Sequence, residues 1–226
     1  MIAAALVALF AVVFLFWRYC WFFRNPRRSP PVGEGLVSPA DGTIVYARKV
    51  APGEPVVTIK RGVSATLKDI VREDFEKPKL VIGIFMSPFD VHYNRAPLSA
   101  RIGFIRRHPA GGRNAHMGAM HWRCLLRIEP RYLGSVHIVQ NERTITQFLG
   151  SYRGEPLACY VVQIGARTVN GIDSYHEPGD WVERGATFGM IRVGSQVDLV
   201  VPWRDGFETL VVPGERVVAG ETLLVR

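Results

Sequence analysis

Two hydrophobic patterns follow one another along the chain. The first is unbroken. Residues 2–17, IAAALVALFAVVFLFW, carry no charge, and the apolar run resumes after Arg18 as YCWFF, ending at Phe23. As a helix, residues 2–17 would rise only about 24 Å, short of a roughly 30 Å hydrocarbon core. Continuing through Arg18, whose side chain can snorkel, closes the gap. The second pattern begins beyond Gly35 and consists of short apolar or alternating runs bounded by Gly, Pro, Asn or Asp. Examples are GTIVYARKV (42–50), KLVIGIFM (79–86), ACYVVQIGA (158–166), QVDLVVP (196–202) and ETLLVR (221–226). Such runs predict strands. Only ATLKDIVREDFEK (65–77) suggests a short helix. The expected architecture is therefore mainly β, with minor α, behind one N-terminal transmembrane or membrane-anchoring helix. Its parts are an anchor over 1–23, the Pro/Gly/Arg linker RNPRRSPPVGEG over 24–35, and a domain over 36–226.

Charge sharpens this picture. The 226 residues carry a net charge of +8, which points to an anionic partner, nucleic acid or membrane surface. The N-terminus favours the membrane and gives no reason to invoke nucleic acid. Trp17, Tyr19, Trp21 and Phe22 form an aromatic belt, and Arg24, Arg27 and Arg28 follow it with no basic residue before the run. That asymmetry places the remainder on the cytoplasmic side of the cell membrane. A cleaved signal peptide would need a basic leading segment and a small-residue cleavage site, and both are missing. The three cysteines, Cys20, Cys124 and Cys159, are scattered, as suits a reducing compartment and no zinc site. His116 and His121 lack a Cys or carboxylate nearby, so no metal is expected.

A weak repeat lies within the β region. EPGDWVERGATFGMI (177–191) and VPGERVVAGETLLVR (212–226) share Pro-Gly-acid-x-Val-x-x-Gly-x-Thr, and APGEPVVTI (51–59) echoes its first half. Each Pro-Gly marks a turn, and the second Gly another, between short strands. Hairpins of this kind recur in barrel-sandwich folds of the biotinyl/lipoyl type. A non-catalytic, membrane-tethered module is thus an alternative, but a carrier needs a lysine at a hairpin tip and none follows Lys79.

The chain contains three Gly-Ser pairs, ending at Ser135, Ser151 and Ser195. Gly-Ser is usually a solvated turn. Ser195 differs in lying between two apolar runs, FGMI and VDLVV, where a strained turn could be held from both sides. At this point the sequence resembles the short-form phosphatidylserine decarboxylase family. The resemblance is carried by FFRNPRRSPP after the anchor, SPADGTIV (38–45), MSPFDVHYNRAP (86–97), NER (141–143), VQIGARTVNGI (162–172) and GATFGMIRVGSQVDLVVP (185–202), in the family's order.

The resemblance implies a proenzyme that cuts itself between Gly194 and Ser195. A large chain 1–194 and a small chain 195–226 would form, and Ser195 would become a covalent pyruvoyl cofactor. Ser195 Oγ would attack the Gly194 carbonyl to give an ester. β-Elimination then leaves dehydroalanine, which hydrolyses to pyruvoyl and ammonia. The mature pair of chains would decarboxylate phosphatidylserine, or a related serine phospholipid, through a Schiff base to the substrate amine. Because the lipid tails stay in the bilayer, the belt from Trp17 to Arg28 would hold the domain close to it. The hydroxyl needs a base. Asp90 and His92, two apart in FDVHYNR, would share a face of an extended segment, where a carboxylate orients an imidazole. His137, in YLGSVHIVQNER, is the rival base by similarity to the Asp-His-Ser triad of long-form relatives. Arg95 and Arg143 are candidates for the lipid phosphate, since Arg forks match anionic oxygens.

Overall fold

The apolar runs become strands. A computed structural model describes residues 1–167, 171–192 and 195–226. Gly194 and residues 168–170 of the VQIGARTVNGI motif therefore lie outside the described residues. Helix α1 (Ile2–Phe16) passes into a π-helical turn over Trp17–Trp21. Beyond it come β1 (Leu36–Val37), β2 (Gly42–Val50) and the hairpin β3 (Pro55–Lys60) with β4 (Val63–Thr66). Then follow β5 (Lys79–Met86), β6 (Tyr93–Arg95), β7 (Ala100–His108), β8 (Arg143–Tyr152) and β9 (Glu155–Gly165). The chain ends in β10 (Ile172–Ser174), β11 (Trp181–Val182), β12 (Thr187–Ile191), β13 (Ser195–Pro202), β14 (Arg216–Val217) and β15 (Leu223–Val225). The expected helix over 65–77 is only α2 (Leu67–Ile70), started by a Thr66–Asp69 capping box. Val63–Thr66 are instead drawn into the β3–β4 pairing.

Eight strands form one curled antiparallel sheet in the order β11-β7-β8-β9-β13-β5-β2-β14. β13 lies inside it, laddered to β5 and to β9. β5 is buried at every position, which explains its unbroken apolar sequence. Its alternate side chains enter two cores. Ile82, Ile84 and Met86 join Val197, Leu199 and Val161 on one face, while Val81 and Phe85 join Val162, Ile164 and Val200 on the other. The small sheets β10-β12-β6 and β1-β15 feed the first core. The β3–β4 hairpin, α2, α3 (Gly118–Leu125) and α4 (His137–Gln140) feed the second.

The anchor is longer than the charge-free run suggested. Ile2–Trp21 is a continuous 20-residue helix of mean hydropathy 2.2 with no residue buried. At 1.5 Å per residue it rises about 30 Å, long and apolar enough to cross a bilayer. Burial begins at the next residue, since Phe22 is 0% exposed. The segment after it is a strap. Arg28 pairs with Asp41 at 2.9 Å, and Arg184 donates to the carbonyls of Pro31 and Gly33 at 2.6 and 2.7 Å. The two Pro-Gly repeats abut: a Cβ on Gly220 would meet Gly185 Cα at 3.3 Å, and both glycines have φ near +77° (79° and 75°). Both features demand glycine there.

Candidate active site

Ser195 opens β13 and is fully buried. It pairs with Met86 on β5 and Gly165 on β9, and its Oγ donates to Met86 Sδ at 3.2 Å. The same sulfur lies 3.8 Å from Asn94 Nδ2, and Asn94 Oδ1 accepts from Gln163 Nε2 at 2.8 Å. Alternation along the strands accounts for this grouping. Gln163 is opposite Val197, so it shares the face of Ser195. β6 lays Asn94 over that face, pairing with β12 just ahead of the Gly-Ser segment.

His92 stands two residues before Asn94 and is 0% exposed. Its ring packs on Phe22, with centroids 4.4 Å apart, so the first residue past the anchor helix roofs the histidine. Nδ1 lies 2.9 Å from the Asp90 carbonyl, and Nε2 is buried without a partner among the described residues. Burial is the main influence on this imidazole. It lowers the pKa to about 4, against the pull of the Asp90 carbonyl and charge, so the ring is neutral near pH 7.

The expected contact between the Asp90 carboxylate and the imidazole is not made. The backbone carbonyl of Asp90 meets the ring instead. Its carboxylate accepts from the Ser87 N–H at 2.7 Å and is gripped by the Arg216 guanidinium. Burial would raise the Asp90 pKa, but the Arg216 hydrogen bond and charge, with the Ser87 N–H, outweigh it and hold the carboxyl below its ordinary value. Arg216 belongs to 195–226 and Asp90 to 1–194, so the pair crosses the expected cut.

His137 approaches from the opposite face. Its Nε2 lies 3.0 Å from Gln196 Oε1, and Gln196 alternates with Ser195 on β13. Gln196 Nε2 donates to Tyr46 Oη at 2.7 Å and Asp198 Oδ1 at 2.8 Å, and Tyr46 donates to the same oxygen at 2.9 Å. Gly83 makes this network geometrically possible, because the Tyr46 ring lies 2.4 Å from where a Cβ would be. Burial lowers the His137 pKa to about 4, with Gln196 opposing and Arg143 adding to the effect. Burial raises Asp198 to about 6, opposed by its hydrogen bonds from Gln196 and Tyr46 and by Arg143.

Asp198 gives a test of this network. Its folded pKa lies above the unfolded value of 3.8. Its stabilising contribution is therefore present below pH 3.8 and lost as pH rises through about 6. Asp198→Asn removes that titration. Relative to the natural chain, its unfolding free energy should rise between about pH 4 and 7, by about 3 kcal/mol for a two-unit shift. Denaturant unfolding of the uncut Ser195→Ala chain, with and without Asp198→Asn, at a series of pH values reads the difference, and a pH-independent difference would contradict the burial of a titrating Asp198.

Arg143 and Arg95, the candidates for the lipid phosphate, are both buried. Arg143 is 1% exposed, and its donors meet the carbonyls of Asp69, Ile70, Ile138 and Asn141. Arg95 is 7% exposed and donates to Gly185, Pro26 and Asn25 oxygens at 2.8, 2.9 and 2.6 Å. Each guanidinium satisfies otherwise orphaned oxygens of the fold. Ser135 is buried before α4 and Ser151 is exposed near the β8–β9 turn. His116 meets Arg167 at 3.1 Å and His121 lies against Phe85. Arg216, Phe22 and the Tyr46–Gln196–Asp198 group have roles the sequence reading missed. Only Asp198, a lone charge inside an apolar run, carried a signal.

Comparison with known proteins bears on the whole chain. Residues 15–225 match the family described as Phosphatidylserine decarboxylase. A phosphatidylserine decarboxylase proenzyme of Trichlorobacter lovleyi is 36% identical over 210 residues, 91% of this chain and 74% of that protein. One of Nitratidesulfovibrio vulgaris is 34% identical over 222 residues, 96% of this chain and 82% of that protein. A putative archaetidylserine decarboxylase proenzyme of Methanothermobacter thermautotrophicus is 33% identical over 207 residues, covering 91% and 78%.

Proposed function

Given that this chain belongs to the phosphatidylserine decarboxylase family, we propose that it is a proenzyme that cuts itself before Ser195 and then decarboxylates a serine-headed phospholipid to its ethanolamine counterpart. The observation that carries this is the placement of Ser195, a fully buried hydroxyl at the head of an internal strand, in contact with Met86 Sδ. Phosphatidylserine and archaetidylserine share the headgroup, and the relatives are named for one or the other.

In the cut, Ser195 Oγ adds to the Gly194 carbonyl carbon as the hydroxyl proton passes to a base. The peptide C–N bond breaks and an ester forms. Removal of the Ser195 α-proton then expels the Gly194 carboxylate, leaving dehydroalanine. Water converts this to a pyruvoyl group and releases ammonia. The base we favour is His92, because Asn94, two residues on, shares Met86 Sδ with Ser195 and because the neutral His92 has no partner for Nε2 among the described residues. In this reading Asp90 orients the imidazole through its carbonyl while Arg216 and Ser87 fix its carboxylate. His137 holds Gln196 from behind.

The surroundings suit a pyruvoyl group at 195. Among the described residues His92 Nε2 and Gln163 Oε1 are buried without partners, which leaves polar atoms for a group that needs them. When present, its carbonyl supplies the sink for the electrons released with CO₂. His92 is placed to move a proton at the substrate carbon, and Phe22 with its neighbours keeps water out. The anchor would keep the lipid within reach, with Arg24 and Arg27 next to anionic headgroups on the cytoplasmic side.

Intact mass spectrometry of the purified protein tests the reading. Two chains, 1–194 and 195–226, are expected, the smaller blocked at its N-terminus. A single whole chain without decarboxylase activity would instead favour the tethered barrel-sandwich module.

A further inference from the structure

Residues 117–128 build a surface that the chemistry at Ser195 does not use. α3 (Gly118–Leu125) is fixed to the second core by Met120, 0% exposed, and by Met117 just before it. Its outer side is apolar as well. Trp122, Leu125 and Leu126, spaced i, i+3 and i+4, are 59%, 61% and 61% exposed, and Ile128 follows at 44%. A helix lying against water carries polar side chains on that side. A contiguous apolar exposure marks a partner or a membrane.

Charge and continuity select the occupant. No Asp or Glu occurs from Gly111 to Ile128, whereas Arg113, Arg123 and Arg127 do. The surface also joins the anchor. Arg24, two residues beyond Phe22, donates to the Phe89 carbonyl at 2.7 Å. The Phe89 ring, 65% exposed, lines a groove of about 710 Å³ together with His121, Cys124, Leu125 and Arg127. Leu125 on the exposed side of α3 therefore shares a groove with Phe89, which the segment following α1 contacts through Arg24.

We propose that α3 is a second membrane contact. Trp122, Leu125 and Leu126 enter the interfacial layer of the bilayer that α1 crosses, and Arg123 and Arg127 meet anionic headgroups. This rests on the anchoring of α1, and not on decarboxylation. It also brings the groove beside Phe89 and Arg216 to the headgroup level.

The test uses the full chain in phosphatidylglycerol nanodiscs containing lipid brominated near the headgroup. Tryptophan emission is compared between the natural protein and Trp122→Phe, and the difference belongs to Trp122. That component is expected to be quenched by bromolipid and shielded from acrylamide. Arg123→Glu with Arg127→Glu, or neutral lipid in place of phosphatidylglycerol, is expected to lose the bromolipid quenching. Quenching by acrylamide alone would show that the surface faces water and overturn the proposal. Shielding from both quenchers, with two chains per disc, would overturn it in favour of a second copy on this face. Because no turnover is measured, failure here is distinct from failure of the enzymatic reading.

Discussion

Ser195→Ala is expected to yield a single uncut chain with no measurable decarboxylase activity. Both functions converge on one side chain. In the proposed reading its oxygen is the nucleophile of the cut, and its carbon skeleton would become the carbonyl that catalysis requires. Alanine has no oxygen to add to Gly194 and cannot be converted to pyruvoyl. The fold should survive, because the lost contact is one weak hydrogen bond to Met86 Sδ. A gel and an intact mass separate loss of cutting from loss of folding. Ser135→Ala and Ser151→Ala should cut normally, since one serine precedes α4 and the other lies near the β8–β9 turn. In the natural enzyme Edman chemistry should fail on the small chain. A readable fragment starting at Ser135 or Ser151 would mean that another Gly-Ser is used.

His92→Ala is expected to leave mostly uncut precursor, and His137→Ala to slow the cut without abolishing it. His92 is grouped with Ser195 through Asn94 and Met86, whereas His137 touches Gln196 on the other face. The reverse result would exchange the two roles. Removing a general base costs roughly 10²–10⁴-fold in rate, which a time course of cutting resolves. Asp90→Ala should also slow the cut strongly, because it unpairs Arg216 and loosens the turn whose carbonyl meets His92. The pH dependence has a definite sign. The His92 pKa is lowered to about 4, so the neutral, proton-accepting form persists well below pH 6.5. Cutting should be insensitive to pH from 8 down to about 5 and fail as pH approaches 4. A rate that halves near pH 6.5 would point to an exposed histidine.

Much of this was legible in the sequence because it is local. GTIVYARKV and KLVIGIFM are β2 and β5 to the residue, since β-branched runs punctuated by turn residues need no distant information. Ser195 stood out because apolar runs flank it on both sides; a strained turn was expected there, and Ser195 instead opens the buried strand β13. The fold contacts of Arg95 and Arg143 were not legible, for a physical reason. A guanidinium fork suits backbone carbonyls as well as phosphate, and the chain does not advertise which oxygens will be left without partners. Arg216 went unread and Phe22 was read as part of the interfacial belt, because their partners, Asp90 and His92, are remote in sequence. The helix over 65–77 failed where Val63–Thr66 found strand partners, an instance of tertiary pairing overriding local propensity.

The position of β13 determines what the cut does to the molecule. Ser195–Pro202 is laddered on both sides by strands of 1–194, and β14 and β15 add to β2 and β1. Severing the chain before Ser195 divides the polypeptide but not its hydrophobic core, so dilution should not separate the pieces. Folding of the precursor is a first-order event, whereas refolding after the cut would require two strangers to meet in solution. Maturation thus acts as a ratchet. The enzyme inherits a structure that its fragments would struggle to rebuild, and its lifetime depends on how slowly it unfolds rather than on how readily it returns.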